Sequence, residues 1–324
     1  MNEAACNEQL SFTIDETQDG QRLDTVLTRL SALSRNHIQQ LLKNENVRNL
    51  AGKTIRQASL RVRENETYLL NIPAPVPLKL EAEDIPLDIL FEDEHLIVLN
   101  KPAGMVVHPA HGHDHGTLVH ALLHHCELLP GINGMQRPGI VHRLDKGTSG
   151  SLVVAKSEIA HRQLTEMFAR HDLNRQYIAW CRGNPRWHQK RIELSIGRHP
   201  QHRQKMAVNE NGRDAITDAE VEQSFGPFSR LRLRLHTGRT HQIRVHLSYE
   251  KLPILGDPIY ARSYNPAMDI PEPTRTAIRA LNHQALHAQL LEFVHPISGQ
   301  PLSFKAPLPD DLIQLTHALT ENYG

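Results

Sequence analysis

The chain has 324 residues, with 36 basic and 36 acidic side chains and 39% hydrophobic content. That length suits two or three domains with substantial cores, and the zero net charge supplies no global field to draw the chain towards nucleic acid. Residues 1–8 carry neither a basic nor an apolar region, and no window approaches the length of a membrane span. Cys6, Cys126 and Cys181 show neither CxxC spacing nor a disulfide framework, so a soluble, cytoplasmic protein with no membrane partner is expected.

In chain order, residues 1–10 are expected to be flexible and residues 11–73 to form a compact module. Residues 11–14 read as a strand. Leu23, Val26, Leu27 and Leu30 share one helical face, and Ser34 N-caps a second helix. Short strands and turns follow at Val47, 52–53, 60–62 and 68–72, and Arg35, Lys43, Arg48, Lys53 and Arg56 suit an exposed basic face. Pro73, Pro75, Pro77 and Pro86 mark a semi-rigid, acidic linker over 74–86.

The large domain is expected to span 87–324. Strands are read at 89–91, 96–99, 175–180, 191–195, 215–221, 229–235 and 287–293, and helices at Leu118–His125, 159–170 and Gln242–Tyr249. Residues 264–276, with three prolines, read as a surface loop. Alternating strands outnumber helices, which predicts an α+β fold with a mixed, mainly antiparallel sheet and helices packed against it.

Chemistry concentrates in two stretches. Residues 138–156 place two apolar runs, read as short strands, around His142-Arg143-Leu144-Asp145-Lys146-Gly147-Thr148-Ser149-Gly150. A carboxylate between two cations is held in its charged form, as a nucleophile requires; a surface ion pair at a hairpin turn is the plainer alternative. Further on, a strand ends at Leu235, Gly238 permits a tight turn, and a helix can start near Thr240 with its hydroxyl as cap. Arg244 lies one turn beyond, so this corner suits an anion, either a substrate phosphate or the Asp145 carboxylate.

The 22 histidines invite a metal, but no His-x-x-x-His pair carries the Glu of a hydrolytic zinc site. No catalytic metal is expected, and any ion bound at His111, His113 and His115 would be adventitious. An aspartic-protease loop, a phosphate-binding loop and a dinucleotide fingerprint each lack a required element.

These residues carry a resemblance. The run from His142 to Gly150 and the run Gly238-Arg239-Thr240-His241-Gln242-Ile243-Arg244-Val245-His246 are similar to the signatures of the RluA and RluD type of pseudouridine synthases that modify ribosomal RNA. Asn100-Lys101-Pro102, Val107-His108-Pro109, Arg175-Gln176-Tyr177 and Gly256-Asp257-Pro258 match further, and residues 11–73 resemble the S4 RNA-binding domain. One departure is Val47-Arg48-Asn49-Leu50-Ala51-Gly52-Lys53, where relatives read Val-x-Val-Asn-Gly-Lys.

The resemblance implies isomerisation of uridine to pseudouridine in large-subunit rRNA or a pre-ribosomal particle, at several neighbouring uridines of a helix-loop, by a monomer without a cofactor. It implies that Asp145 is the essential carboxylate, that Tyr177 packs on the target base, and that Arg244 pairs with Asp145. Arg143 would contact phosphate or help displace the nucleotide, and Ile243 would line the pocket floor. Arg143, Lys146, Arg239 and residues of 182–205 would build a basic cleft, and Arg35 belongs to the S4-like face. His142 and His241 are matched, with catalysis and packing both open. A non-catalytic RNA-binding factor is the second reading; an Asn at position 145 would have favoured it.

Overall fold

The computed structural model describes residues 6–31, 33–73, 80–109, 112–126, 129, 138–202, 205–261 and 269–324. The chain divides into two compact units, residues 1–78 and 79–324.

In the first unit, β1 (Cys6–Thr13), α1 (Leu23–Ser31), α2 (Arg35–Lys43), β2 (Val47–Asn49) and β3 (Thr67–Pro73) build an antiparallel sheet in the order β1-β3-β2 against two helices. Leu23, Val26 and Leu27 of α1 and Ile38, Leu41 and Leu42 of α2 bury against Val47, Tyr68 and Leu70. Ser34 caps α2 by accepting from the His37 amide, as its position predicts. Two expectations are corrected. The first strand starts at Cys6, where residues 6–10 were expected to be flexible, because β3 is long enough to pair back to that point. Residues 60–62 form no strand and contribute a single bridge, Arg61 to Arg22.

The second unit contains, in order, β4 (Ile89–Glu92), β5 (Leu96–Lys101), α3 (Leu118–His125), β6 (Ser149–Ala155), α4 (Glu158–Arg170), β7 (Asn174–Arg182), β8 (Gln189–Glu193), β9 (Ile196–Arg198), β10 (Met206–Val208), β11 (Ile216–Phe225), β12 (Phe228–Leu235), α5 (Gln242–Tyr249), α6 (Glu272–Ala280), β13 (Leu286–Val294), β14 (Pro301–Lys305) and α7 (Asp310–Tyr323). Nine strands form one sheet, in the order β4-β5-β6-β13-β7-β12-β11-β8 with β14 on β13. Its described pairs are antiparallel except β13 with β6. The fold is α+β with a mainly antiparallel sheet, as expected.

Burial explains the sequence patterns. Every residue of β6 is buried, so this central strand reads as a continuous run rather than an alternation. In β12, Leu231, Leu233 and Leu235 enter the core while Arg230 and Arg232 face out, paired with Glu222 of β11. Arg232 also lies 3.6 Å from Glu220, so these two arginines are matched by two carboxylates of β11. The parallel contact of β6 with β13 is close: Gly150, at φ +113°, has its would-be Cβ position 2.3 Å from the Ala288 carbonyl oxygen, and only glycine fits.

Three further expectations need correction. Residues 80–86 are no spacer: the Glu83 amide donates to the His120 carbonyl, and its carboxylate accepts from the Gly116 amide at 3.0 Å. Residues 74–79 of the expected linker lie outside the described residues. Residues 138–141 form only a bridge, Ile140 to Val154, so no hairpin encloses Asp145. Finally, the expected loop 264–276 contains the start of α6; residues 262–268 lie outside the described ones. Pro271 and Pro273 sit at the helix start, where a missing amide hydrogen costs nothing.

Candidate active site

The segment 142–148 leaves the surface and enters β6 at the centre of the sheet, and its Asp145 side chain is 18% exposed. Asp145 lines a cavity of about 380 Å³ walled by this segment, the end of α4, β7 and the turn from β12 into α5. The turn at Asp145 closes through the Thr148 amide, which donates to the Asp145 carbonyl at 3.0 Å. Gln284 secures it from behind by donating to the Thr148 hydroxyl at 2.9 Å.

A buried lysine braces the same segment. Lys101, 1% exposed, donates through Nζ to the carbonyls of Pro102 at 2.7 Å, Met105 at 2.9 Å and Lys146 at 3.4 Å. Burial pushes its ammonium down to about 7, and the Asp145 charge opposes that fall.

Arg244, on the first turn of α5 and 4% exposed, donates from Nη1 to Asp145 Oδ2 at 2.9 Å. Its Nε and Nη2 donate to Asp257 Oδ2 and Oδ1 at 2.7 and 2.9 Å, a bidentate pair with a fully buried carboxylate. Asp257 Oδ1 also accepts from the amides of Ile259 and Tyr260. Burial works against the guanidinium charge, but hydrogen bonds and fields from Asp257, then Asp145, outweigh it and raise its basicity. Tyr260 covers Arg244, ring centre to guanidinium carbon 5.1 Å, and its hydroxyl meets His241 Nδ1 at 3.0 Å.

The helix start differs from expectation. Thr240 does not cap α5; the N-cap is His241 in the left-handed region at φ 58°, and its side chain makes no cap. Gln242 folds back instead, its Oε1 accepting from the Thr237 hydroxyl and the Arg239 amide. His241 Nε2 lies 3.9 Å from Asp145 Oδ2. Burial lowers this imidazole first, with Asp145 opposing, so the ring is neutral at pH 7.

Tyr177 reaches the cavity from β7, 7% exposed, between Leu233 of β12 and Ala288 of β13. Burial raises its phenol and keeps it protonated. His142 resolves towards packing: Nε2 accepts from the Val153 amide at 3.0 Å and the ring stacks on Phe168 at 4.4 Å. Burial, aided by Arg175, pushes it down to about 3.

Of the expected site residues, Asp145, Tyr177, Arg244, Arg143, Arg239 and Ile243 all line this one cavity. Arg143 is exposed at its mouth, and Ile243 is 4% exposed in its wall. Arg239 donates Nε to the Asp214 carbonyl at 3.0 Å. Lys146 is outside the lining; its exposed Nζ lies 3.4 Å from His113 Nε2. Among the described residues of 182–205 none lines the cavity, so the expected basic cleft is not drawn from them. Arg35 belongs to the first unit, where it donates to Asp24 Oδ2 at 2.8 Å. That carboxylate is fully buried; Arg22, then Arg35 and Gln39, hold it well below its usual range against the cost of burial.

The expected histidine cluster is also redrawn. His111 lies outside the described residues; among those described, the group close enough to share a metal is Glu83, His115 and His120. His120 Nδ1 already meets the Thr117 amide and hydroxyl at the start of α3, so the contact reads as a helix cap. Sequence reasoning missed Phe168, His171 and Tyr260 outright. Arg175 and Asp257 stood inside matched motifs but received no role.

The family model described as RNA pseudouridylate synthase matches residues 95–249, the span that holds Asp145, Tyr177 and Arg244. Over 304 residues the chain is 44% identical to the ribosomal large subunit pseudouridine synthase D of Zymomonas mobilis, covering 93% of this chain and 94% of that one. The chain belongs to the RNA pseudouridine synthase family. It is an isomerase of that kind. The uncharacterized RNA pseudouridine synthase YlyB of Bacillus subtilis is 40% identical, covering 97% of this chain and 99% of the relative. Among solved structures, human RNA pseudouridylate synthase domain containing 4 superposes with a TM-score of 0.56 at 25% identity, over 72% of this chain and 93% of that one.

Proposed function

We propose that this isomerase converts uridines of large-subunit rRNA, several neighbouring ones within a helix-loop, with Asp145 as the catalytic carboxylate. The observation that carries the reading is the Asp145 carboxylate facing a cavity that Tyr177 also lines, held at 2.9 Å by a buried arginine. The 44% identity to a synthase named for the large ribosomal subunit supports the substrate class.

The reaction breaks N1–C1′, turns the detached uracil and joins C5 to C1′; C5 gives up a proton and N1 gains one. Attack of the carboxylate on C1′, attack on C6 and removal of the C2′ proton all require an ionised oxygen in a site that excludes bulk water. Arg244 keeps the carboxylate oriented. Tyr177 offers an aromatic face to the base and a phenol to the proton transfers, and Ile243 lines the floor. Arg143 and Arg239 meet the RNA backbone, and everting the nucleotide costs a few kcal/mol, least in a poorly stacked loop.

The first unit serves as an S4-like RNA-binding domain over 11–73, with Arg35 on its face; in the second unit, Lys146 contacts RNA just outside the cavity. The catalytic domain spans 87–324. The protein acts as a cytoplasmic monomer on rRNA or a pre-ribosomal particle. Mapping pseudouridines in total RNA with and without the gene, then rescuing with wild type or Asp145→Asn, tests the reading. Large-subunit sites lost and restored only by wild type are expected. An unchanged map, or rescue by Asp145→Asn, refutes it in favour of an RNA-binding factor.

A further inference from the structure

Arg175 lies in β7 two residues before Tyr177, lines the same cavity and is only 7% exposed. Its Nε is buried and has no hydrogen-bond partner, and among the described residues no carboxylate lies within ion-pair distance of its guanidinium. Burying a cation without an anion is costly, and folding alone gives no return for it. The other buried arginine of this site, Arg244, is shared between two carboxylates. Arg175 instead is held by shape. Its guanidinium carbon sits 5.5 Å from the centre of the Phe168 ring, which is itself stacked on His142. On another side Nη1 lies so close to Gly238 that a Cβ there would approach it to 3.2 Å.

Such a cation is pre-organised for an anion that arrives from outside. Near neutral pH the base and ribose of a uridine are uncharged, and the phosphodiester carries the charge. A planar guanidinium matches phosphate oxygens well. Arg239 and His171 line the same cavity, and burial, then Arg175 and Arg239, lower the His171 imidazole so that it is neutral at pH 7. We propose that Arg175 is a substrate-binding residue that seats the phosphodiester of the everted nucleotide, with Phe168 and Gly238 fixing its guanidinium. This rests on the reading of the cavity as the uridine site and adds a contact to it.

The test compares wild type with Arg175→Gln and Arg175→Lys on a large-subunit rRNA transcript labelled with tritium at uridine C5, whose release follows isomerisation. Binding to the same transcript is measured across a salt series. Arg175→Gln should raise KM and Kd about tenfold or more, and should lower the salt slope by roughly 0.7–0.9, the share of one phosphate. Its melting temperature should match or exceed wild type, because an orphaned charge has gone. Arg175→Lys should keep the salt slope while losing part of the affinity. An unchanged slope for Arg175→Gln, or failure of that variant to fold, overturns the assignment. If wild type releases no tritium the functional reading fails, while the salt series still judges the phosphate contact.

Discussion

Asp257 takes two nitrogens of Arg244 at 2.7 and 2.9 Å, so the third is left pointing at Asp145. The carboxylate in the cavity is thus aimed by a second carboxylate it never touches. A single Arg–Asp pair could swing about its one contact. The bidentate anchor removes that freedom and keeps the buried guanidinium compensated.

Asp257→Asn should therefore impair the enzyme without altering the cavity wall. The amide cannot accept two N–H donors in the same way, and Arg244 loses its principal counter-charge. We expect a loss of about 3–5 kcal/mol of stability, and a single-turnover rate reduced at least about tenfold on the folded fraction. Urea titration and rapid-quench isomerisation measure the two effects. A fully active, equally stable variant would show that Asp145 needs no such anchor.

Lys101→Met keeps the length of the buried side chain but leaves the carbonyls of Pro102 and Met105 without their Nζ donor, while that of Lys146 keeps the Gly104 amide. A cost of about 1–3 kcal/mol follows. Because the segment that carries Asp145 loses its brace at Lys146, kcat should fall more than KM rises. Steady-state kinetics with denaturant unfolding separate these terms.

Tyr177→Phe retains the ring and the packing between β12 and β13, so its melting temperature should stay within about two degrees of wild type. If the phenol moves protons, isomerisation should slow by roughly a hundredfold, with RNA affinity unchanged. Equal rates for Phe and Tyr would reduce the residue to an aromatic surface.

His142 supplies a pH signature. Its folded value, about 3, lies below the ordinary 6.5, so the unfolded chain binds a proton that the native one refuses. Its contribution is fully present above about pH 6.5 and declines towards pH 3, with a slope of up to about 1.4 kcal/mol per pH unit. Subtracting the stability profile of His142→Gln from that of wild type should expose this decline. A flat difference between pH 6.5 and 4 would contradict a ring held neutral in the native state.

Local order was largely legible in the chain. The strand Phe228–Leu235 announces itself by strict alternation, and the helix Gln242–Tyr249 by its turn and spacing, because both periodicities follow from backbone geometry alone. Similarity to family signatures identified Asp145, Tyr177 and Arg244 as a set. Tertiary structure decided what lies between them. Lys101 and Lys146 are 45 positions apart, and Arg244 and Asp145 are 99; no local pattern encodes such partners. Nor could composition show that Arg230 and Arg232 are paired with Glu222 and Glu220 while Arg175 has no such partner, since the difference depends on which strand lies alongside and what it carries. Periodicity is a property of neighbours along the backbone, whereas desolvation and charge pairing depend on neighbours in space, and folding alone brings those together.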